Sequence, residues 1–197
     1  EASDMNPGTM ERPFLTINRA AKAVQPGEKV VVHQGIYREC VRPLCGGVDA
    51  AHMIAYEAAS GENVIVSGAD ILPLEPVKSE GWQPLSHASA DVYMVDIPQS
   101  LFDGYNPFQL RNIYESVDKF GDLSNLAFLK SVMLRRGMIF HNGIRLTQVH
   151  RYPELAQSAG SFWVEESGCR IHFRCPDDQV PEIGQQFEIT TREQTFA

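Results

Sequence analysis

The feature that most constrains this chain is a strand–turn–strand pattern that occurs twice before residue 72. The first copy is "KVVVH" (29–33), a turn at Gly35 and the extended piece "YRECVR" (37–42). The second is "HMIAYEA" (52–58), a turn at Gly61 and "NVIVSGA" (63–69). Val31 and Ile54 are 23 residues apart, and Val41 and Ile65 are 24 apart. Two strands per turn of chain, at a period in the low twenties, predict a parallel β-solenoid whose coils stack apolar strand on apolar strand. The run of valines does not alternate with polar residues, which predicts a strand buried on both faces. A small sheet of ordinary hairpins is the alternative.

A short helix is predicted just before the first copy. Thr16 can cap it, and its apolar positions Ile17, Ala20, Ala21 and Val24 recur at helical spacing. Pro26-Gly27 ends it. The first coil of a solenoid exposes an open edge, and the helix is expected to cover that end.

After Asp70 the pattern changes. "ILPLEPVKSEGWQPL" carries three prolines and no period, the mark of a linker or excursion. "DVYMVDIP" then alternates, "FDGYNPF" reads as a loop, and "LSNLAFLKSVML" is ambiguous. "GMIFHNGIRLTQV", "SFWVEES", "CRIHFRC" and "QQFEITTR" are short strand candidates. Asn142-Gly143 and Glu166-Ser167-Gly168 supply hairpin turns. The expectation is an all-β protein. Residues 1–72 start a right-handed parallel β-helix with an N-terminal cap helix, and residues 73–197 form an inserted β-sandwich-like domain.

Charge narrows the partners. Seventeen basic against 25 acidic residues give a net charge of -8. Nucleic acid and anionic membrane both require clustered Lys and Arg, so neither is expected. A neutral sugar is compatible with this balance. No apolar run reaches the roughly 18 residues that span a bilayer, and no leader is visible. Cys40 and Cys45 fit no compact zinc pattern beside His33 or His52. Cys169 and Cys175 fall on one strand face with Ile171 and Phe173 and read as buried thiols, a disulfide staying open. His87, His141, His150 and His172 show no ligand spacing, and no aspartate ladder suggests calcium. Neither metal nor cofactor is expected. The unpaired cysteine pattern favours cytoplasm over an extracellular setting.

Two long stretches carry a family resemblance. "GTMERPFLTINRAAKAVQPGEKVVVHQGIYRECVRP" and "YEAASGENVIVSGAD" resemble the start of right-handed parallel β-helix carbohydrate-active proteins. "DVYMVDIPQSLFDGYNPF", "MIFHNGIRLTQVHRYPEL" and "FEITTREQTF" resemble glycoside hydrolase family 120, the β-xylosidases. Residues 109–130 match least. The resemblance implies a sandwich carried on a long loop of the β-helix, and catalytic carboxylates on coils beyond it. The chain would then be the N-terminal portion of a hydrolase acting on β-xylosides or xylo-oligosaccharides, with the remaining coils as its partner.

A retaining glycosidase needs two carboxyl groups about 5 Å apart, one of them with a raised pKa. Glu39 and Glu57 each follow a strand, but loop and cap hydrogen bonds account for both. Asp177-Asp178 and Glu165-Glu166 are adjacent pairs, whose members face opposite ways in a strand, and read as solvated surface. No catalytic residue is therefore assigned within the chain. Sugar contact is assigned to Tyr105, Asn106 and Phe108, since rings stack on pyranose faces and amides bind hydroxyls. A hydrophobic plug is the plain alternative for that loop, and Trp163 reads as core. Competing functions are a polysaccharide-binding module, a homo-oligomer contact made by the sandwich, and a fragment of a pectate-lyase-like polysaccharide lyase.

Overall fold

A computed structural model describes residues 1–72, 75–79, 91–111, 134–178, 180–181 and 187–197. Trp82, His87 and most of "LSNLAFLKSVML" lie outside the described residues. The chain divides into two compact units, one of residues 1–68 with 192–197 and one of residues 69–191. It leaves the first unit after Gly68 and returns to it at Arg192.

The first unit opens with α1 (Ile17–Ala21). Thr16 sits in extended conformation, and its hydroxyl accepts the Arg19 amide, as the cap reading requires. Strand β1 (Lys29–Val32) pairs in parallel with β3 (Ala55–Ala58), and β2 (Gly35–Tyr37) pairs in parallel with β4 (Val64–Val66). Ile17, Ala21, Val32 and Val41 form the buried centre, with Val30, Tyr37, Tyr56, Val64 and Val66 packed against it.

The parallel β-helix expectation is overturned here. Each parallel sheet contains two strands, and among the described residues no solenoid of stacked coils forms. The expected rungs also do not align. Val31 lies opposite Glu57, not Ile54. Ile36 lies opposite Ile65, while Val41 bridges Phe196 at the end of the chain. Nor is "KVVV" buried on both faces. Val30 and Val32 point inward, whereas Val31 is 48% exposed. Strand side chains alternate whatever the residue type, so a run of valines with one covered face leaves its middle member in water.

The second unit holds β5 (Ala69–Ile71), β6 (Val77–Lys78), β7 (Tyr93–Asp96), β8 (Ile139–His141), β9 (Ile144–Arg145), β10 (Thr147–Gln148), β11 (Ser161–Val164), β12 (Arg170–Arg174) and β13 (Phe187–Thr190). A five-stranded sheet runs in the order β10-β11-β12-β7-β6 and a four-stranded sheet in the order β5-β13-β8-β9. The first is mixed, because β10 pairs with β11 in parallel, and the second is antiparallel. Both sheets feed one core. Tyr93, Val95, Phe162, Val164, Ile171 and Phe173 enter from the first, and Ile139, Phe187 and Ile189 from the second. The rings of Phe173 and Phe187 lie 4.8 Å apart across it.

Local turn chemistry sets the hairpins. β8 and β9 join at Asn142 (φ 49°) and Gly143 (φ 78°), two left-handed residues in succession. That geometry matches the twist of the strands it joins. Gly168 (φ 68°) closes the turn between β11 and β12, and a Cβ there would strike the backbone at Phe108 and Gln109.

Candidate functional site

The loop that carries Tyr105, Asn106 and Phe108 is firmly anchored. The Asn106 side chain is 4% exposed and donates to the carbonyl oxygen of Gly168 and to Gln99 Oε1. Its own Oδ1 accepts the Phe108 amide at 2.9 Å. The Phe108 ring is fully buried in the core beside Phe102. Of the three, Tyr105 is the side chain that keeps exposed surface.

Four of the carboxylates weighed from the sequence, Glu39, Glu57, Glu165 and Asp178, have a side-chain hydrogen bond or ion pair. Glu39 accepts the amides of Ile17 and Asn18 at 3.0 and 2.7 Å, so both its oxygens cap α1. Asp4 adds a second layer, accepting the amides of Leu15 and Thr16 and the Thr16 hydroxyl. Glu57 pairs with Lys29 across β1 and β3 at 2.9 Å. Asp178 holds the buried Arg174 by two bonds of 2.6 and 2.9 Å. The Arg174 guanidinium keeps the Asp178 carboxyl below the ordinary carboxylate range. Glu62 accepts the Gln34 amide and faces His33 Nδ1 at 3.1 Å. The amide and the imidazole together hold its pKa down.

The first unit contains a cleft of about 960 Å³ lined by Phe14, Ile17, Val30, Val32, His33 and Tyr37 among others. Aliphatic side chains share its walls with the polar groups of Thr16, Glu28, Lys29, His33, Gln34 and Tyr37. Among the described residues no group of three His, Cys, Asp or Glu side chains could hold a metal ion, and all four cysteines are free thiols. Cys175 is buried as expected from its strand face, while Cys169 at the turn is half-exposed.

One polar cluster has no signature in the sequence. His172, fully buried on β12, places Nε2 2.9 Å from Glu165 Oε1 and Nδ1 2.8 Å from Ser79 Oγ. Ser79 Oγ is in turn 3.0 Å from the Tyr152 hydroxyl. Glu165 is thus not the solvated residue that its position in "SFWVEES" suggests. Ser79 and His172 are 93 positions apart, so no spacing rule could have joined them.

Comparison with solved structures adds the decisive observation. The chain superposes over 99% of its length on XylC, solved in complex with xylose, with a TM-score of 0.70 and 25% identity. It superposes over its whole length on a glycoside hydrolase with a TM-score of 0.56 and 14% identity. The fold is that of carbohydrate-active proteins. The chain spans 31% of XylC and 46% of the second structure. Among curated proteins, the uncharacterized protein YwoF of Bacillus subtilis (strain 168) is 33% identical over 73 residues, which is 37% of this chain and 15% of YwoF. No family model matches the chain.

Proposed function

We propose that this chain belongs to a glycoside hydrolase of the family 120 type acting on β-xylosides or xylo-oligosaccharides, with the catalytic carboxylates supplied by residues outside these 197. The observation that carries the reading is the likeness to XylC, a protein solved with xylose, over nearly the whole chain. The engagement of Glu39, Glu57 and Asp178 in caps and ion pairs supports placing the acid and nucleophile elsewhere. In this reading the insertion expected over residues 73–197 is the unit of residues 69–191, and the return of the chain to the first unit at Arg192 favours it. The test is turnover of an aryl β-xyloside by the full-length protein. Release of the phenol with xylose is expected, and the 197 residues alone should release none. A full-length protein inert on aryl β-xylosides and xylo-oligosaccharides would overturn the assignment.

Sugar contact within the chain is assigned to the loop of Tyr105, Asn106 and Phe108. Tyr105 offers the ring surface, and Asn106 and Phe108 hold the loop in place by their inward bonds and packing. A preformed loop costs less to order when a ligand binds. Tyr105→Ala should abolish retardation in xylan-containing gels, and unchanged migration of that variant would remove the loop from the reading.

A further inference from the structure

Ser79, His172 and Glu165 are joined in the order that activates a hydroxyl. Glu165 Oε1 lies 2.9 Å from His172 Nε2. A carboxylate only accepts, so Nε2 carries the hydrogen of the neutral imidazole. Nδ1 is then the basic nitrogen, and it accepts the Ser79 hydroxyl at 2.8 Å. The Tyr152 hydroxyl donates to Ser79 Oγ at 3.0 Å, which completes one directed chain from Tyr152 to Glu165.

The packing holds this arrangement in register. His172 is fully buried, with the Tyr152 ring 5.2 Å away edge-on and the Trp163 ring at 5.4 Å. Arg170 stands 4.0 Å from Glu165 and pairs closely with Asp96, so positive charge flanks the carboxylate that orients the imidazole. Burial lowers the His172 pKa, so the resting ring is neutral, while the Glu165 bond works in the opposite sense and favours the protonated ring. Ser79 is half-buried, at the end of the described segment 75–79, and its amide is tied to the Val92 carbonyl oxygen.

We propose that Ser79 is an activated nucleophile that attacks small carboxylic esters, with His172 as its general base, Glu165 as the group that orients His172, and Tyr152 as the hydroxyl that holds Ser79 Oγ in place. The same logic operates in serine hydrolases, where the third group fixes the tautomer of the base. Here the imidazole is used in the opposite sense, with Nδ1 toward serine, and either nitrogen is basic once the other is protonated. In the first step Ser79 Oγ bonds to the ester carbonyl carbon as its proton passes to Nδ1. The tetrahedral adduct then loses the alcohol, which takes that proton. Water repeats the sequence on the acyl-serine, releasing the acid and restoring the hydroxyl. No oxidant, reductant or metal is required.

The probe is a fluorophosphonate, which loses fluoride to a nucleophilic serine. The full-length protein is labelled in native buffer and again in concentrated urea, and the modified peptide is mapped by mass spectrometry. Ser79 should be modified in native buffer at least about a hundredfold faster than in urea, the lower range of what a positioned base contributes. Its rate should fall on acidification as His172 gains a proton. Glu165→Gln should slow the modification about tenfold or more while the protein still melts cooperatively. An unmodified Ser79 in the native protein, or equal rates in buffer and urea, would overturn the proposal without any variant being needed.

Discussion

Glu39 holds the start of α1 from 22 positions along the chain, its Oε1 accepting the Ile17 amide at 3.0 Å. Four N–H groups at a helix start have no partner within the helix, and a helix of five residues has little else to stabilise it. Glu39 satisfies Ile17 and Asn18, Thr16 satisfies Arg19, and Asp4 ties down the approach through Leu15 and Thr16. Glu39→Ala should therefore destabilise the first unit by about 1–2 kcal/mol, the usual cost of a lost cap. Equilibrium urea unfolding measures it, and an unchanged midpoint would refute the capping role.

Gly137 is a contact of the core. A Cβ built there would run into the Phe108 ring. Gly137→Ala should cost about 1–3 kcal/mol as an overpacked site. Phe108→Ala should cost about 3–5 kcal/mol through the cavity it leaves. The two changes share a partner, so their effects should not add. In the Phe108→Ala background, Gly137→Ala should be close to neutral, as a thermal-melt double-mutant cycle would show.

Cys175 should be the last thiol to react. It is 1% exposed, and burial, with Asp178 and Asp177 nearby, pushes its pKa up to about 11. The thiolate is the reactive form, so little of it exists at pH 8. Iodoacetamide should modify Cys40, Cys45 and Cys169 in the folded protein and reach Cys175 only in urea. Peptide mapping after timed quenching would detect the opposite order.

Asp178 should contribute an acid-sensitive part of the stability. Its hydrogen bond to Arg174 lowers its folded-state pKa from an ordinary value of 3.8. The unfolded chain then takes up the proton first as pH falls, so the contribution is complete above that value and fades below it. Asp178→Asn should lower stability at pH 7 by up to about 1 kcal/mol, because the carboxylate is 40% exposed and solvent screens the pair. The gap between variant and parent should narrow from about pH 4 downward. Denaturant midpoints at pH 7 and pH 3 compare the two, and a gap that widens in acid would contradict the pairing.

Several elements were legible because a few neighbouring residues decide them. Thr16 capping, the Asn142-Gly143 turn and the inward alternation of Ile171 and Phe173 depend on local hydrogen bonds, on left-handed backbone and on the two-residue strand period. The recurring strands near Val31 and Ile54 were also real as strands or near them, but spacing alone could not say which residues would pair. Register is chosen by the packing of whole faces, and β1 met β3 three residues past the expected rung.

By itself the sequence determined an all-β chain of short strands, a capped helix at its start and a net charge of -8. Tertiary structure alone decided that the parallel pairs stop at two strands, that Asn106 turns inward to Gly168, and that Ser79 meets His172. The reason is physical. Turns and caps are settled within a few bonds of the residues that make them, whereas partners tens of positions apart are chosen by the burial and hydrogen-bond free energy of the whole core, which no short pattern encodes.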